Sequence, residues 1–159
     1  MKDYDELLIS LRRITRAIDL YSKRLQKETN LTISQLLVMD AIVKIDKPTP
    51  SAIAKSILLS QATVTNLIDR LVKNGLVERK RLGTDKRTIN IVLTQQGEQK
   101  YQDAPELLQS EFLRKYRELE NWEQHLLVSA ISRVATMMDA EEIDASPILT
   151  LGEIGIRDQ

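Results

Sequence analysis

The stretch from Thr49 to Gly75 constrains the fold most, because it holds two short helical patterns with almost no chain between them. Thr49 followed by Pro50 reads as an N-cap with proline at the first helical position, where its missing N–H does no harm. A short helix should run from there to about Leu58. Ser60 then reads as the cap of a second helix, with Val64, Leu67, Ile68, Leu71 and Val72 at the i, i+3, i+4, i+7, i+8 spacing of a buried face. Asn74-Gly75 stops it, since glycine accepts the left-handed conformation of a helix end. With Pro50 as position one, Ile53, Ala54, Ile57, Leu59, Val64 and Leu67 fall at positions 4, 5, 8, 10, 15 and 18. That set buries the facing sides of the pair, and small Ala54 admits close helix contact, as a helix-turn-helix requires.

From Leu76 the period changes to two. Val77 and Arg79, then Thr88 to Val92, read as short strands, with Gly83-Thr84-Asp85-Lys86 as the turn between them. Arg79, Lys80, Arg81, Lys86 and Arg87 crowd five cations into nine positions, beside Glu78 and Asp85. Net charge is zero, but residues 47–100 hold 10 basic and 4 acidic side chains, whereas residues 101–159 hold 5 and 12. A basic segment beside an acidic one suits a chain that offers one face to a polyanion and keeps the rest away from it.

The flanks are helical. Leu7, Leu11, Ile14, Ile18, Tyr21 and Leu25 form one stripe over roughly six turns, and Leu37, Val38, Ala41, Ile42 and Ile45 form a second run, with Ser34 as its candidate cap. Thr94 can cap a long helix carrying Tyr101, Leu107, Leu108, Phe112, Leu113 and Tyr116, with Pro105 as a kink or break. Asn121 with Gln124 makes a capping-box pattern for a last helix bearing Leu127, Ile131, Val134 and Met138. The expected fold is mainly α with a small β-hairpin wing: a winged helix-turn-helix with N- and C-terminal dimerisation helices. The divisions are a first dimerisation helix at 1–30, the winged region at 31–93, dimerisation helices at 94–140 and a tail at 141–159, apolar enough to pack on something.

Composition excludes several classes. The absence of cysteine removes disulfides, thiolate zinc sites and thiol redox sensing. No run nears the ~18 apolar residues of a membrane span, and Asp3, Asp5 and Glu6 do not suit a signal peptide, so the cytoplasm is the expected location. No cofactor, metal set, phosphate loop or titratable cluster is legible. The lone His125, near Leu126, Leu127 and Glu123, reads as a surface or interface residue, so an enzyme is not expected.

The side of the second short helix away from the core carries Ser60, Gln61, Ala62, Thr63, Thr65, Asn66, Asp69, Arg70 and Lys73. A recognition helix enters the major groove by its N-terminal end, where short polar groups reach base edges. Gln61 and Asn66 can bridge adenine, Thr63 and Thr65 can bond or touch thymine, and Arg70 or Lys73 can meet phosphates. A solvated helix face would explain the same residues, but a hairpin of such charge repels itself unless a polyanion lies beside it. Arg87 is the expected minor-groove residue, with Lys80, Arg81 and Lys86 on the backbone and Asp85 orienting Arg87 or Arg81.

From Leu59 to Thr94 the chain resembles the MarR family, through Ser60-Gln61-Ala62-Thr63-Val64-Thr65, Asp69-Arg70-Leu71, Asn74-Gly75-Leu76-Val77-Glu78-Arg79, Asp85-Lys86-Arg87 and Leu93-Thr94. The order of elements is similar over roughly residues 4–139. The resemblance implies a homodimer interlocked by its first and last helices, a pseudo-palindromic operator and a repressor released by a small ligand. It also implies an effector crevice between dimer helices and DNA lobe, where Arg12, Arg16, Tyr21 and Met39 are candidates beside the reading that they are core and surface. Glu142 to Leu149 is similar to tails of MarR-type regulators beside ectoine or compatible-solute genes, a link to osmotic stress. Two rivals stand: an enzyme of another type, and a winged domain used only for protein interaction, in which the wing cations would be dispensable.

Overall fold

The computed structural model describes residues 2–81 and 87–140. They form α1 (Asp3–Thr29), α2 (Ile33–Lys44), α3 (Pro50–Ile57), α4 (Gln61–Lys73), β1 (Val77–Lys80), β2 (Asn90–Leu93), α5 (Gln95–Asp103), α6 (Leu108–Arg117) and α7 (Asn121–Met137). The described residues divide into two compact units, one up to Pro105 and one from Glu106 to Ala140. The expected hairpin turn with Asp85 and Lys86, and the tail from residue 141, lie outside the described residues.

In the first unit α2 is the centre. Ile33, Leu36, Leu37, Val38, Met39, Ala41 and Ile42 are all buried, so this helix is covered on nearly every side rather than along one stripe. Its cap is Thr32, not Ser34: the Gln35 N–H donates to Thr32 Oγ1 at 3.2 Å and the Thr32 N–H to Gln35 Oε1 at 3.0 Å. The reciprocal box needs a hydroxyl three residues before Gln35, which Ser34 is not. Ser34 is buried, and its Oγ has no hydrogen-bond partner.

Thr49 caps α3, accepting from the Ala52 N–H at 3.1 Å, and Ser60 caps α4, accepting from the Thr63 N–H at 3.1 Å. Ile53, Ala54, Val64, Leu67, Ile68 and Leu71 are buried between the helices and α2. Gly75 takes φ 71 and turns the chain into β1. The strands pair antiparallel from Val77 with Leu93 to Lys80 with Asn90. β2 begins at Asn90, two residues later than expected. The Ile91 N–H donates to Pro48 O at 2.8 Å, which ties the hairpin to the segment before α3.

Pro105 breaks the helix rather than kinking it. Ala104 sits at φ −69 and ψ 142, extended as a residue before proline prefers, and α5 ends there. In the second unit the cap of α7 lies one residue before the expected one. Glu120 is the N-cap, its N–H donating to Glu123 Oε2 at 2.9 Å, while Gln124 Nε2 donates to Leu119 O at 3.0 Å and Tyr116 O at 3.2 Å. Many large apolar side chains of α1 and α7 are exposed, among them Leu7, Leu8 and Ile14 on the first and Trp122, Leu127 and Ile131 on the second. Among the described residues no helix is long and apolar enough to cross a membrane.

Candidate nucleic-acid interface

α4 has two sides of different chemistry. Val64, Leu67, Ile68 and Leu71 are buried, whereas Gln61, Ala62, Thr65, Asn66, Asp69, Arg70 and Lys73 are exposed. The division follows from the apolar spacing, since residues three and four apart share a side of a helix. At the N-terminal end the Ser60 and Thr63 hydroxyls lie 2.8 Å apart and one bonds the other, so both are held in place. The Thr65 hydroxyl donates back to Gln61 O at 2.8 Å, an orientation it keeps within the helix.

The wing base is fastened to this helix. Arg79 on β1 is ion-paired with Asp69 on α4, and Lys80 pairs with Glu78 at 2.7 Å. Arg81 and Arg87, which flank residues 82–86 in sequence, are exposed. The Asp69–Arg79 pair escaped sequence reasoning, because ten residues and a turn separate the two and no helical spacing relates them.

A second fastening lies behind. Thr94 Oγ1 donates to Gly75 O at 2.6 Å and accepts from the Gly97 N–H at 3.0 Å, while the Thr94 N–H donates to Leu76 O at 3.0 Å. Gly97 presses so close that a Cβ there would stand 1.9 Å from Leu76 O. Thr94 therefore caps α5 and also clamps the end of α4 to the root of the wing. Sequence reading gave Thr94 only the capping role and gave Gly97 none.

The effector candidates have different surroundings. Arg12 is exposed, Arg16 Nη1 pairs with Asp19 at 3.0 Å, and the Tyr21 hydroxyl donates to Pro105 O at 3.5 Å. Met39 is wholly buried in the core. An open groove of about 590 Å³ lies instead beside Ile42, Val43, Asp46, Ile91, Glu98 and Tyr101, and none of the four lines it.

Comparison with known proteins points to one family. Residues 31–89 match the model of the MarR family. That stretch of the chain is similar to a MarR-family domain. The chain is similar to an HTH-type transcriptional regulator of Bacillus subtilis, YsmB, with 30% identity over 95 residues, 60% of this chain and 65% of that protein. The HTH-type transcriptional repressor YetL of the same species is 39% identical over 62 residues, 39% of this chain and 36% of that one. These alignments thus span less than two thirds of either relative. Among solved structures, Streptococcus pneumoniae FabT in complex with DNA aligns with a TM-score of 0.57 and 19% identity, covering 86% of this chain and 98% of that one. The transcriptional regulator BldR from Sulfolobus solfataricus aligns with a TM-score of 0.53 and 25% identity, covering 86% and 99%. The winged helix fold of MarR structures is therefore the fold of this chain, mainly helical with a two-stranded sheet. The family and these relatives are regulators of transcription, not enzymes.

Proposed function

We propose that this chain regulates transcription as a homodimer, each copy laying the exposed side of α4 in the major groove of double-stranded DNA while its wing reaches the adjacent minor groove. The Asp69–Arg79 ion pair carries the reading: it joins the outward side of α4 to the cationic strand, so both elements can face one duplex. The name of the family and of both relatives supports the same role.

Gln61 and Asn66 read adenine edges, Ala62, Thr63 and Thr65 meet thymine, and Ser60 stands at the helix end nearest a phosphate. Arg70, Lys73, Lys80, Arg81 and Lys86 neutralise phosphates, and Arg87, oriented by Asp85, enters the minor groove. Residues 31–93 form the DNA-binding part. The exposed apolar faces of α1 and α7, within 1–30 and 94–140, bury against a second copy.

The chain acts in the cytoplasm as a repressor on a pseudo-palindromic operator and leaves it when a small molecule binds near Arg12, Arg16 and Tyr21, with Met39 uncovered by that event. The tail's resemblance points to compatible-solute genes as targets. Nuclease footprinting on the DNA upstream of the chain's own gene tests the scheme. Two protected half-sites about one helical turn apart are expected; an unprotected fragment, or a single half-site without symmetry, contradicts it.

A further inference from the structure

Leu58 joins α3 to α4, and the folded chain makes little use of its side chain. Its backbone sits at φ 57 and ψ 38, the left-handed region in which a Cβ crowds the following carbonyl oxygen. The other non-glycine residues with positive φ among those described are Asn30 and Asp139, whose short polar side chains tolerate that conformation. A leucine has no such relief. Its side chain is also 88% exposed, more than any other large apolar residue described. Glycine would relieve the strain and remove the stranded apolar surface, so folding alone gives no reason for leucine at this turn.

The surroundings indicate what the side chain meets. Leu58 stands two residues before Ser60, at the end of α4 assigned above to the DNA groove. Lys55, Ser56, Ser60 and Gln61 around it in sequence are exposed and polar, and no other large apolar side chain between Pro50 and Asn66 is exposed. A surface that pairs with protein gathers several apolar groups, as α1 and α7 do; a single one amid lysine, serine and glutamine does not. Nucleic acid presents isolated apolar targets, the thymine methyl group and the deoxyribose carbons, within a polar frame.

We propose that Leu58 is a DNA-contacting residue, its isobutyl group packing on a thymine methyl or a deoxyribose at the edge of the groove that α4 enters. The proposal rests on the DNA-binding reading. It makes the strained turn a feature of the bound state rather than of folding.

Thermal unfolding and fluorescence anisotropy with an upstream duplex test it, on the full chain and on Leu58→Gly and Leu58→Asn, both of which suit a left-handed backbone. Leu58→Gly should raise Tm by about 2–4 °C. Both variants should weaken DNA binding about fivefold, with no change in oligomeric state by sedimentation. Repeating the titration with uracil in place of thymine separates the two targets: lost discrimination between leucine and glycine assigns the contact to the methyl group, and retained discrimination assigns it to the sugar. Unchanged affinity in either variant, a fall in Tm for Leu58→Gly or an altered oligomeric state overturns the proposal. Failure of the unaltered chain to bind any duplex overturns the DNA-binding reading, and this contact with it.

Discussion

The Asp69 carboxylate on α4 is ion-paired with the Arg79 guanidinium on β1, so the helix and the strand that frame the proposed DNA face are joined side chain to side chain. Both groups are partly exposed, at 56% and 36%, which limits what the pair adds to stability. A double-mutant cycle with Asp69→Ala and Arg79→Ala should give a coupling of about 0.2–1 kcal/mol in urea unfolding. A coupling of zero would mean that the contact does not hold the wing.

Gly97 is a stronger constraint than any surface ion pair. A methyl group there meets the Leu76 carbonyl oxygen, which is backbone and cannot swing aside. Gly97→Ala should therefore destabilise the chain by about 1–3 kcal/mol, read as a lower urea midpoint at unchanged slope. Wild-type stability in that variant would show that α5 can retreat from the root of the wing without cost.

Much of this layout was legible in the sequence, and the reasons for the exceptions are physical. Caps at Thr49, Ser60 and Thr94, the stop at Gly75 and the buried side of α4 are local effects, set by residues within one or two turns of each other. The cap at Thr32 was misplaced because two hydroxyls compete within three residues, and only the reciprocal bond with Gln35 decides between them. The Asp69–Arg79 pair and the Gly97 approach to Leu76 are tertiary, and no periodicity announces them.

Tyr101 offers a pH-dependent signature of the first unit. Its burial, followed by the hydrogen bond that its hydroxyl donates to Asp40 Oδ1 at 2.8 Å and the charge of that carboxylate, pushes its pKa up to about 12. The folded state thus holds the phenolic proton more tightly than the unfolded chain does. This contribution to stability is complete below pH about 10 and is lost as pH rises toward 12. Following tyrosinate absorbance, Tyr101→Phe should remove a fraction that titrates late. Titration curves of the unaltered chain and of Tyr101→Phe that differ in no late fraction would contradict the part-buried contact with Asp40.

Ile131, exposed on α7 beside Leu127, stands where the second copy is proposed to pack. Ile131→Asp would bury an unpaired carboxylate in that interface, at a cost of about 3 kcal/mol, or on the order of a hundredfold in the dimer Kd. Sedimentation equilibrium should find a dimer for the unaltered chain and a shift toward monomer for the variant. An unaltered chain that is monomeric, or a variant that dimerises as well, would remove α7 from the interface.

The most direct measurement of the central claim, that the outward side of α4 and the wing grip a phosphate-lined duplex, is fluorescence anisotropy with an upstream fragment across a range of salt concentrations. Affinity should fall linearly on logarithmic axes as salt rises, and Arg87→Ala should weaken binding about tenfold and lower the slope by about one. Affinity indifferent both to salt and to the loss of Arg87 would contradict the claim.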